Sequence, residues 1–168
     1  KHRLNQNYHH LIPSLEKDSH GLLQQLGMPK AILKIDIEGK INPDITGVDN
    51  VKLMFSANAG HAPQELSKVA SGGEFSRLML TLKKIIARSV AMPTIVFDEI
   101  DTGVSGAIAD RMGEMFESMS KDMQVLVITH LPQIAGKGQD HLKVVKAEEG
   151  KRVSSRLIRL NEKERIAE

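Results

Sequence analysis

The chain has 168 residues, 40% of them hydrophobic and 26% charged, which suits one sizeable core with at most a small appendage. Its 23 basic and 21 acidic residues leave a net charge of +2, too small on its own to mark a nucleic-acid or anionic-membrane surface. Cysteine is absent, which excludes disulfides and thiolate metal sites, and the seven histidines show no zinc spacing. No apolar run approaches the roughly 20 residues of a spanning helix, and the polar start KHRLNQNYHH is unlike a secretory signal. A soluble protein without a membrane partner is expected. The start at Lys1 and the helical-looking end NEKERIAE further suggest a piece cut from a longer polypeptide.

In chain order, Leu4, Leu11, Leu15, Leu22, Leu23 and Leu26 recur at near-helical spacing and predict an amphipathic segment stopped by Gly27. Pro13 is expected to kink or divide it. The end of a coiled-coil arm and a surface helix both fit, because too few heptads are present to choose. AILKIDIE (Ala31 to Glu38) and VKLMFSA (Val51 to Ala57), separated by turn signals at Asn42-Pro43 and Gly47, predict an antiparallel pair. Asn58 to Leu66 reads as loop, and a helix is predicted from Ser71 to about Val90. A strand (Thr94 to Phe97), a helix (about Ser105 to Met119) and a strand (Gln124 to Thr129) follow. After them come a short helix near Gln133 and strands around Leu142 to Lys146 and Val153 to Leu160.

TIVF and QVLVIT are short apolar runs separated by an amphipathic helix, the pattern of parallel strands covered on both faces. The expected class is therefore α/β, with a mostly parallel sheet flanked by helices and a small antiparallel element near the N-terminus. Such sheets bind ligands at the carboxyl ends of their strands, where Asp98, Glu99 and His130 fall.

Asp98 and Glu99 leave the core directly after Ile95, Val96 and Phe97, where desolvating a carboxylate is costly unless something compensates. Magnesium held through Asp98, with Glu99 orienting and deprotonating a water, gives each residue a role in nucleotide hydrolysis. A surface acidic pair capping a turn or helix is the structural alternative. Ser71-Gly72-Gly73-Glu74 opens a helix in a form that lets backbone amides approach a phosphate. The same residues fit a capping box between Ser71 and Glu74, although that leaves two helix-weakening glycines unexplained. Asp101 suits either this site or an N-cap, and His130 suits either a terminal phosphate or a structural strand end. The Gly-Lys pairs at 39–40, 136–137 and 150–151 lack the upstream glycine and the following Ser or Thr of a phosphate loop. A nucleotide would be only partly held by this chain.

In this order the residues resemble the C-terminal half of an ABC-type ATPase head. SGGE is similar to the signature motif, TIVFDE to the Walker B strand, DTG to the D-loop, and His130 to the switch histidine. QLGMP, FSANAG, LSKVASGGEFSRLML, VFDEIDTGVSG, QVLVITHLPQIA and LNEKERIAE together resemble the RecN family of SMC-like bacterial DNA double-strand-break repair proteins. Alanine occupies position 70, where broader ABC proteins often carry leucine.

The resemblance implies that residues 1–27 end a coiled-coil arm and that 28–168 complete a head whose phosphate loop lies in an N-terminal half. It implies ATP and Mg2+ as cofactors, a second head as homodimer partner, DNA engaged by the full-length protein, and a cytoplasmic, nucleoid-associated location. Ser71, Gly72 and Gly73 would face the γ-phosphate held by the partner head, with Glu74 also in the nucleotide site, Asp98 on magnesium and Glu99 as base. Asp101 would couple the two sites and His130 would contact the γ-phosphate. A noncatalytic assembly lobe is the competing expectation. Direct DNA binding through Lys83, Lys84, Arg88, Arg152, Arg156 and Arg159 has weaker motivation, because these positions are scattered.

Overall fold

The leucines of the first helix, α1 (His2–Gln25), lead into a buried corner: Leu23, Leu26, Met28, Ala31 and Leu33 are all almost fully enclosed. The computed structural model describes residues 2–45, 47–69, 72–104, 106–149 and 152–167. It divides into two units, Lys1–Met92 and Pro93–Glu168.

In the first unit, α1 is followed by the strands β1 (Ile32–Asp44), β2 (Gly47–Ser56) and β3 (Gln64–Glu65), then a short 3-10 turn and α2 (Gly73–Ser89). The three strands form an antiparallel sheet in the order β1-β2-β3. Leu23, Met28, Ala31, Leu33, Phe55 and Leu78 make its core, which joins both helices to the sheet. Since β1 is an edge strand, its outward amides need partners or cover. Glu16 of α1 accepts the Ile35 N–H at 2.9 Å, and His20 Nδ1 donates to the Ala31 carbonyl at 3.1 Å. The hairpin also carries a cross-strand pair in which Glu38 raises the Lys52 ammonium above its usual pKa, first by hydrogen bonding and then by charge.

Three local expectations change here. α1 continues through Pro13 instead of dividing there. Proline costs one helical bond, and Pro13 itself stands exposed. The Asn42-Pro43 stretch lies inside β1, where the ladder loses regular register between Gly39 and Asp44, an irregularity of the kind that tolerates proline in a strand. Gln64 and Glu65, expected in a loop, pair with Phe55 and Met54.

The second unit runs β4 (Thr94–Asp98), α3 (Ala107–Met119), β5 (Gln124–Ile128), α4 (Pro132–Ala135), β6 (Leu142–Glu149), β7 (Arg152–Arg159) and α5 (Glu162–Ala167). β4 and β5 are parallel, pairing Thr94 with Gln124 through Asp98 with Ile128, while β6 and β7 form an antiparallel hairpin. Ile95 and Phe97 point inward with Met112, Met115, Phe116 and Met119 of α3 also buried, and the Phe97 and Phe116 rings lie 4.9 Å apart. Gly113 lets α4 approach α3, since a Cβ there would stand 3.2 Å from the Gln133 carbonyl oxygen. Asn161 and Glu164 form a reciprocal cap at the start of α5. Arg165 of that helix donates to the carbonyls of Gly136, Gly138 and Gln139, tying the chain end to the loop after α4.

The parallel pair was expected to be covered on both faces. One face is covered; the other presents Val96, Leu126 and Ile128 with 52%, 42% and 54% exposure. Asp98 shares that outer face, because residues alternate sides along β4.

Candidate functional site

β4 and β5 end side by side, so the residues that follow them gather at one edge of the second unit. Asp98 closes β4 with its carboxylate exposed, and Glu99 follows as the first residue beyond it. Glu99 is the single described non-glycine residue with positive φ, at +46°. The left-handed region costs an ordinary residue about 1–2 kcal/mol, so the surrounding bonds must hold it there. They act on both sides: the Glu99 N–H donates to the Ile128 carbonyl at 3.2 Å, and the Thr102 hydroxyl donates to the Glu99 carbonyl at 2.8 Å. Glycine at this position is expected to make the chain more stable than alanine by about 1–2 kcal/mol. Urea melts of Glu99→Gly and Glu99→Ala check this; equal midpoints would remove the case for backbone strain.

Asp101 behaves differently from its acidic neighbours. Its side chain is 1% exposed. The Thr129 hydroxyl donates to Asp101 Oδ2 and accepts the Leu131 N–H at 3.0 Å. His130, between those two residues, is largely exposed, with Nδ1 3.6 Å from Asp101 Oδ2. Asp101 is therefore no N-cap for the following helix: Gly106 caps α3, without a side-chain cap bond. Gly106 in that place also leaves Asp98 and Glu99 out of the cap of α3. Thr129 was missed in the sequence because it read as the end of an apolar strand; its one signal was a hydroxyl beside a strand-end histidine.

The signature-like segment belongs to the first unit. Ser71 lies outside the described residues, whereas Gly72 is the N-cap of α2 and accepts the Ser76 N–H at 3.0 Å. This register makes Glu74 the second helical residue, not the third that a capping box requires, and glycine has no side chain with which to cap. Gly72 and Glu74 are exposed and Gly73 is half-buried.

Among the described residues, no three His, Asp or Glu side chains cluster to hold a metal by themselves. Magnesium does not require such a cage, because it retains waters and commonly takes one or two carboxylates together with substrate phosphates. Exposed Asp98 fits that limited role. No helix among the described residues is long and apolar enough to cross a membrane.

The fold is that of an SMC ATPase head. An Smc head domain with coiled coil and joint from Pyrococcus yayanosii superposes with a TM-score of 0.74 at 21% identity, covering 99% of this chain and 30% of that one. A structure described under ATP-driven dimerization and DNA-stimulated activation of SMC ATPases superposes with a TM-score of 0.66 at 17% identity, covering 96% and 92%. The sequence relationship is narrower. DNA repair protein RecN of Rickettsia conorii is 44% identical over 154 residues, covering 92% of this chain and 28% of the relative. RecN of Vibrio cholerae is 37% identical over 147 residues, covering 87% and 26%. RecN of Bacillus subtilis is 44% identical over 122 residues, covering 73% and 21%. No family model matches the chain. The chain is homologous to a segment of the RecN family of DNA repair proteins, and it spans about a quarter of the length of the relatives it matches.

Proposed function

We propose that this chain supplies the hydrolytic edge of an SMC-like head ATPase acting in DNA double-strand-break repair and recombination. The observation that carries the proposal is the convergence of Asp98, Glu99 and His130 at the β4–β5 edge, with Glu99 held in a left-handed backbone. A merely structural turn would favour glycine at that φ, so a glutamate kept there points to use of its carboxylate. Asp98 would hold Mg2+ together with ATP phosphates, and the bound ion would supply charge neutralisation at the phosphoryl oxygens. Glu99 takes a proton from the attacking water and His130 contacts the γ-phosphate.

The outer face of the parallel pair supports a head completed by another segment. Val96, Leu126 and Ile128 form an apolar face of the kind that parallel sheets bury, and Asp98 lies on the same side. An N-terminal half carrying the phosphate loop would cover this face beside the acidic edge. Ser71, Gly72, Gly73 and Glu74 would then serve the ATP of a second head, since the backbone amides at the start of a helix suit a phosphate. ATP-driven head dimerisation, with DNA engaged by the complete protein, follows as the working cycle. A noncatalytic assembly lobe is disfavoured, because assembly gives no use for a strained, water-facing Glu99.

Calorimetric titration of Mg-ATP into this chain alone is expected to give a Kd weaker than about 1 mM, with tight binding restored in the full-length protein. Tight binding by the chain alone would defeat the division of labour proposed.

A further inference from the structure

We propose that Thr129 and Asp101 are positioning residues that brace His130 from beneath. This extends the proposed hydrolytic role of the β4–β5 edge and rests on it. The Thr129 hydroxyl has one proton and uses it toward Asp101 Oδ2, while its oxygen accepts the Leu131 N–H at 3.0 Å. The hydroxyl thus spans the peptide segment that carries His130, fixing the residue on either side of the histidine. Asp101 anchors the other end from a position 1% exposed, with Oδ2 also 3.6 Å from His130 Nδ1.

A purely structural threonine needs only its shape, and valine provides that. Here the chemistry is specific. Removing the hydroxyl leaves the Leu131 N–H without its acceptor and deprives Asp101 of its hydroxyl donor. Asp101 Oδ1 is already buried without a hydrogen-bond partner among the described residues, so the carboxylate has no second bond in reserve. His130, largely exposed and with Nδ1 3.6 Å from Asp101 Oδ2, then loses the fixed backbone that aims it. The side chain of Asp101 accordingly acts within its own chain, and any coupling between heads runs through the brace or the exposed Thr102-Gly103 backbone.

The test is Thr129→Val and Thr129→Ser in the full-length protein, with steady-state ATP hydrolysis, thermal melting and Glu99→Gln as reference. Thr129→Val is expected to lower kcat about 10- to 100-fold with KM changed less than about threefold, and Thr129→Ser to restore at least about half of kcat. Asp101→Asn, which keeps an acceptor for the hydroxyl, is expected to fall between the two and remains informative if Thr129→Val does not fold. The brace is overturned if kcat of Thr129→Val stays within about twofold of the parent, or if Thr129→Ser is as impaired as the valine variant. If Glu99→Gln retains full turnover, the hydrolytic role of the edge itself fails, a result distinct from either.

Discussion

Glu99→Gln in the full-length protein is expected to reduce ATP turnover about 10²- to 10⁴-fold while leaving ATP affinity within about threefold. Glutamine keeps the length and volume of the side chain but cannot accept the proton of an attacking water. The backbone constraint is unaffected, because the bonds that hold φ at +46° run from the Glu99 N–H and to its carbonyl, not through its carboxylate. Asp98 remains available to magnesium, so nucleotide binding and the chemical step separate cleanly in this variant. Single-turnover hydrolysis alongside equilibrium binding checks the result. Near-normal turnover would remove Glu99 as the base; lost binding together with lost turnover would mean that its carboxylate serves the ground-state complex.

Much of this edge is legible in the sequence. TIVF and QVLVIT are apolar runs too short for helices and separated by one amphipathic helix, so their parallel pairing and the placing of Asp98, Glu99 and His130 at one end follow from pattern alone. What remained hidden depends on contacts between residues distant in sequence. The positive φ of Glu99 has no signature in its own residue type; it is imposed by the Ile128 carbonyl and the Thr102 hydroxyl. Asp101 reads in the sequence as an N-cap or a site residue, and its burial emerges only with Thr129, 28 residues away. The start of α2 illustrates a different limit: serine and glycine both serve as N-caps, so Ser71 and Gly72 differ by too little local preference to fix the register. The continuity of α1 at Pro13 and the two-residue strand β3 likewise depend on surroundings that local propensity does not contain.

The uncovered outer face leads to the second large effect, which depends on context. Leu126→Asp is expected to change the stability of this chain alone by less than about 0.5 kcal/mol, because Leu126 is 42% exposed and a carboxylate there stays hydrated. In the full-length protein the same substitution is expected to cost about 3–5 kcal/mol, or to prevent folding, because the covering segment would bury an unpaired charge. Ile95→Asp supplies the comparison: Ile95 is 6% exposed, on the face shared with Phe97 and turned away from Leu126, and its substitution should be severe in both settings. Denaturant titrations of both variants in both chains measure the difference. Equal, small losses for Leu126→Asp in the two settings would mean that the outer face stays open in the complete protein, and the proposed covering half would have to dock elsewhere. A selective loss in the full-length protein would instead place the covering segment on the side of the sheet that carries Asp98, where a phosphate loop and a magnesium-binding carboxylate can serve the same nucleotide.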